Sequence, residues 1–131
     1  MKTFLIITFC FSGITSFSQQ QIKVEEAKNH IGDSVKICSK IYGAKYFASA
    51  KEPITLLDAG AKYPDNFLTL VIHDDARKLF KKPPEEYYKG ANVCIYGRIQ
   101  IFKEKPEIVI YNPAQINEVI IDDKMIKNEP R

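Results

Sequence analysis

The sequence predicts an all-β fold with short helices: a five-stranded Greek-key barrel carrying one helix between its third and fourth strands. Three observations point there. The 131-residue chain holds three segments of strand periodicity, then a short run of helical character, then two strand segments joined by a tight turn. Its length allows one domain. At 45% hydrophobic and 27% charged, with seven Tyr and eight Phe, it can build a core for that domain.

Taken in order, the chain begins with Lys2 and the apolar run Phe4-Leu5-Ile6-Ile7-Thr8-Phe9-Cys10-Phe11, followed by Ser16-Phe17-Ser18. The run is too short to cross a bilayer as a helix, and small residues stand three and one before a cut after Ser18. Residues 1–18 therefore read as a signal peptide, with the mature chain starting at Gln19; the alternative is a buried N-terminal strand. Cys10 lies inside the apolar run behind Phe9, where lipid modification of a cysteine would need a small residue. It is expected to leave with the signal, so the exported chain keeps two cysteines, Cys38 and Cys94, and no transmembrane segment. The destination is periplasmic or secreted. Removing Lys2 lowers the formal charge from +3 to about +2, which argues against tight non-specific nucleic-acid binding, so that any such function would have to rest on a local patch.

The domain is expected over residues 19–121. Ile22, Val24, Ala27 and Ile31, ahead of Gly32, suit a short N-terminal helix. Ser34 to Tyr42 alternates strictly, with Val35, Ile37, Ser39 and Ile41 on one face and Lys36, Cys38, Lys40 and Tyr42 on the other. After a loop holding Lys45-Tyr46-Phe47 come strands at Ile54–Asp58 and Asn66–His73, separated by turn residues including Gly60 and Pro64. Asp74 to Phe80 opens with two acids and reads as two helical turns stopped before Pro83-Pro84. Asn92 to Phe102 places Val93, Ile95, Gly97, Ile99 and Ile101 on one face, and Lys103 to Pro106 turns it into a returning strand, Glu107–Tyr111. The core is expected to hold Val35, Ile37, Leu68, Leu70, Ile72, Val93, Ile95, Ile99 and Ile108, with Gly97 letting its strand bend. Residues 122–131 form a polar tail, expected to be mobile.

The stretch YKGANVCIYGRIQIFKEKPEIVIYNPAQI resembles the closing half of proteins of the OB-fold nucleic-acid-binding superfamily, and NFLTLVIHDDARKLFKKPPEEYYKG resembles their third strand and connecting helix. The resemblance spans about Ile31 to Val119 and rests on turn and core positions. It implies a five-stranded OB barrel and, as a function class, oligonucleotide binding. In such a barrel the first strand lies antiparallel beside the fourth, and these carry Cys38 and Cys94. Both cysteines fall on the face opposite the aliphatic one, so a Cys38–Cys94 disulfide is expected; the alternative is two unrelated small residues.

OB folds bind through the face of their second and third strands and the loops joining strands one to two and four to five. On that pattern the binding residues would be Lys45, Tyr46 and Phe47 in the first loop, Thr69 and His73 on the third strand, Arg98 on the fourth, and Lys103 and Lys105 in the closing hairpin. Aromatic rings beside ammonium groups suit single-stranded nucleic acid, by stacking and by phosphate contact. Lys36, Lys40 and Arg98 form a second basic strip, although Glu104 and Glu107 interrupt the hairpin lysines and a plain solvated surface accounts for the same residues. No catalytic constellation, cofactor motif or metal-ligand spacing is evident. The acid pairs Glu25-Glu26, Asp74-Asp75 and Glu85-Glu86 fall at helix starts or exposed turns. His30 is expected to end the N-terminal helix and His73 the third strand. Two functions are left: an exported module for single-stranded nucleic acid, or an exported interaction domain for a protein or carbohydrate partner.

Overall fold

The computed structural model describes residues 20–119 together with Gly13. The expected signal peptide and the polar tail at 122–131 lie outside the described residues, Gly13 apart. A short strand β1 (Gln20–Ile22) pairs parallel with the start of β2 (Ser34–Phe47). Between them, Val24–Asn29 forms a 3-10 helix in place of the longer helix expected from Ile22 to Ile31. Its buried residues, Val24 and Ala27, are three apart, the repeat of a 3-10 turn, while Ile22 belongs to β1 opposite Ile37. His30 caps this helix and contacts Asp33 at 3.1 Å.

β2 runs to Phe47, past the expected end at Tyr42. Its register shifts between Ile41 and Gly43, and such an irregularity bends a strand. The first half of β2 can therefore pair with β5 (Asn92–Phe102) and the second half with β3 (Ile54–Ala59). Lys45, Tyr46 and Phe47, expected in a loop, are strand residues opposite Leu56, Thr55 and Ile54. β3 continues antiparallel to β4 (Leu68–His73), and β4 lies parallel to β6 (Lys105–Val109), which returns along β5. The order β2-β3-β4-β6-β5, closed by β5 against β2, is the connectivity of the OB fold. β7 (Ile116–Glu118) adds an outer strand beside β5.

The helical connection differs from expectation. α1 (Asp74–Arg77) is a single turn, and a second turn, α2 (Pro84–Tyr87), follows where the sequence reads only a stop. Proline lacks the N–H that the first turn of a helix leaves unused, so Pro84 starts α2 as readily as it ends what precedes it.

Inside the ring, Val35, Ile37, Leu68, Leu70, Ile72, Ile95, Ile99 and Ile108 are fully buried and Val93 is 1% exposed. They meet Ile41, Leu57 and Ile110 in one core. Ile101, which shares the alternation without being among the expected core residues, is 57% exposed, because it pairs with Pro106 in the hairpin. Gly97 has a packing role, since a Cβ there would stand 2.5 Å from the Ile108 side chain.

Candidate ligand-binding face

Because paired residues of neighbouring strands share a face, the register fixes what the outside of β3, β4 and β6 presents. At one end is the row Phe47, Ile54, His73. Next comes Lys45, Leu56, Val71, Val109, and then Asp58, Thr69, Glu107, Gln100. Phe102 and Lys105 close the far end. The middle of the second row is apolar and tightly packed: Val71 is only 4% exposed, on the outside of the ring.

Both ends of this face pair a cation with an aromatic ring. Lys45 Nζ lies 4.9 Å from the centroid of Phe47. At the hairpin end Lys105 Nζ is 4.9 Å from the Tyr63 centroid and donates to the carbonyl of Pro64 at 3.0 Å, while Lys103 Nζ lies 5.4 Å from Phe102. Tyr63 and Phe102, 72% and 58% exposed, were not singled out from the sequence. The signal available was the Lys-aromatic adjacency in Phe102-Lys103 and Lys62-Tyr63. The turn that presents Lys103 has φ of 48° at Lys103 and 66° at Glu104. Both are left-handed values, which a two-residue hairpin requires and which side chains other than glycine adopt at a cost.

The remaining predicted residues divide. His73 is exposed at the end of β4 and opens α1. Thr69 accepts a hydrogen bond from Asn66 Nδ2 at 2.8 Å. Tyr46 turns away from this face: its hydroxyl donates to Asp74 Oδ1 at 3.2 Å, and the Arg77 guanidinium lies 3.7 Å from its ring centroid. Arg77 donates in turn to Glu85 Oε1 at 2.6 Å. Burial and the hydrogen bond to Asp74 raise the Tyr46 phenol above its usual range, and the hydrogen bond to Glu85 raises Arg77. This cluster ties α1 and α2 to the end of β2.

On the β2–β5 seam the outer residues include Lys36, Cys38 and Lys40 facing Tyr96, Cys94 and Asn92. Cys38 and Cys94 are directly opposed and bonded, with Cα atoms 4.0 Å apart and a separation of 56 positions in sequence. Lys36 lies over Tyr96, Lys40 over Tyr42, and Arg98 Nε donates to the Gly32 carbonyl at 2.9 Å. The fold thus brings Lys45, Phe47, Thr69, His73, Lys103 and Lys105 to one face, and sets Tyr46 and Arg98 apart from it. Among the described residues no three His, Cys, Asp or Glu side chains gather as a metal site. No helix among them is long and apolar enough to cross a membrane.

No protein-family model matches the chain, and no curated protein is similar to it in sequence. Solved structures are similar in fold. The crystal structure of yeast Stn1 and Ten1 aligns over 86% of this chain and 69% of that one, with 12% identity and a TM-score of 0.55. A protein assigned as an aspartyl-tRNA synthetase of Leishmania major Friedlin aligns over 86% of this chain and 23% of its own, with 13% identity and a TM-score of 0.49. At such identity the likeness to Stn1 and Ten1 concerns the fold alone: this chain is an all-β protein of OB-like strand order.

Proposed function

We propose that this protein is an exported OB-fold module that binds single-stranded nucleic acid across the outer face of β3, β4 and β6. The observation that carries the reading is the pairing of lysine with an exposed or half-exposed ring at both ends of that face: Lys45 with Phe47, and Lys103 and Lys105 with Phe102 and Tyr63. Stacking on a ring is worth about 1–3 kcal/mol per base and tolerates any base, while the ammonium groups attract phosphate. The fold likeness to Stn1 and Ten1 supports a binding module, and the N-terminal sequence together with the disulfide supports export to an oxidising compartment. One observation favours an interaction domain instead: Tyr63, Ile101 and Phe102 are all more than half exposed at the hairpin end, which would serve a protein or carbohydrate partner.

Fluorescence anisotropy with a labelled thymine 12-mer over a salt series separates the two. On the nucleic-acid reading, affinity falls steeply with salt. Phe102→Ala should weaken binding about 10-fold, from the stacking energy lost. Absence of binding at low salt would leave the interaction domain.

A further inference from the structure

Within the row Asp58, Thr69, Glu107 stands a carboxylate whose place needs explaining. Asp58 is half-buried on the outer face, and burial weakens its acidity. Among the described residues it has no ion-pair partner within 4.0 Å. Lys105 is nearby, but its ammonium is directed to the Pro64 carbonyl. One oxygen, Oδ2, accepts the Tyr63 N–H at 3.4 Å, a long contact that leaves most of the carboxylate's acceptor capacity unused. The sequence makes room for this side chain: it leans over Gly43, where a Cβ would stand 2.5 Å from Oδ2. The other members of the row are engaged, Thr69 by Asn66 and Glu107 by Gln100, whose Nε2 donates to it at 2.9 Å.

A phosphate laid across this row would meet both Asp58 and Glu107, so the lysines at the two ends are the places for the backbone, and the middle of the face is left to the bases. Resting on the nucleic-acid reading of the face, we infer that Asp58 selects guanine in a single strand. The Watson–Crick edge of an unpaired base is open to side chains. Guanine presents N1–H and N2–H₂ side by side there, two parallel donors matched to the two oxygens of a carboxylate, the geometry that makes guanidinium–carboxylate pairs strong. Thymine presents one N–H between two carbonyl oxygens, which repel a carboxylate. A thymine-only strand therefore measures the sequence-tolerant part of binding, and a guanine measures Asp58.

The test uses thymine 12-mers carrying dT, dG or inosine at one central position, each titrated at low salt against the wild-type protein and Asp58→Asn, with thermal melts to show that the variant is folded. The amide keeps the acceptor for Tyr63 and replaces the second acceptor with a donor. Wild type should bind the dG strand about 10-fold tighter than the dT strand, within the range of a bidentate base contact, and inosine, lacking the N2 amine, should fall between. Asp58→Asn should erase the order. Equal binding of the three strands by wild type, or a guanine preference that survives in Asp58→Asn, overturns the role of Asp58 and leaves the nucleic-acid reading standing. No binding of any strand overturns both.

Discussion

On the seam where β2 meets β5, a covalent bond joins Cys38 to Cys94, Lys36 and Lys40 lie over Tyr96 and Tyr42, and Arg98 holds the carbonyl of Gly32. On the face of β3, β4 and β6, lysines also lie near rings, but the rings are at the ends, Asp58 has no ion-pair partner among the described residues, and the hairpin turn has two residues at positive φ. The two surfaces are built from the same residue types. The seam uses them to close the ring on itself, while the open face keeps unspent hydrogen-bonding capacity and a backbone conformation with a local cost. Such departures from local preference gather at functional sites, which is the reason to seek the ligand there.

Replacing both cysteines, Cys38→Ser with Cys94→Ser, sets the two surfaces furthest apart. The bridge spans 56 residues of sequence, and in the chain-entropy model its loss costs about 4 kcal/mol. In a domain this small that is a fall of about 15 °C or more in Tm, read by calorimetry. Oligonucleotide affinity, measured below the new Tm, should be unchanged if the seam is purely structural. An affinity that falls with the bridge would erase the distinction between the surfaces.

A smaller effect is expected inside the ring beneath the open face. Thr55, opposite Tyr46 and Ile72, is fully buried, and its hydroxyl has no hydrogen-bond partner among the described residues. Thr55→Val keeps the shape and removes the desolvated hydroxyl, so it should stabilise the fold by about 1 kcal/mol in urea denaturation. A loss of stability would mean that the hydroxyl is satisfied after all.

The smallest change acts on the hairpin and should separate stability from binding in the opposite sense to the disulfide. Lys103→Asn with Glu104→Gly supplies the residues that a turn with two positive φ values favours, and should add a little under ~1 kcal/mol. Lys103→Asn alone, which keeps Glu104, removes one cation and no anion, so with it the salt slope of oligonucleotide binding should drop by about one. An unchanged slope would exclude Lys103 from phosphate contact.

The nine expected core positions were legible because strand alternation is covalent geometry: successive Cβ atoms point to opposite faces whatever the strand packs against. The same parity put Cys38 and Cys94 on one outer side, and the OB strand order made them neighbours. Ile101 obeys the parity and is still exposed, since parity gives a direction and not the place where the ring stops covering it. The end of β2 departs from the local pattern for a related reason. The bend between Ile41 and Gly43 lets one strand serve two partners, so Lys45 to Phe47 look like loop residues when only local pattern is read.

Element order and alternation by themselves determined the fold class and the inward side chains, because those follow from periods of two along one strand; the cysteine pair needed in addition the strand order of an OB barrel. Only the tertiary structure decided which polar residues remain available. Tyr46 is engaged by Asp74 and Arg77, 28 and 31 positions away, and Lys105 comes to lie over Tyr63, which is 42 positions away in the turn before β4. Asp58 leans over Gly43 because the register of β2 on β3 sets a residue without a side chain opposite it. Those outcomes depend on which strands meet and in what register, a long-range fact that no local window of sequence contains.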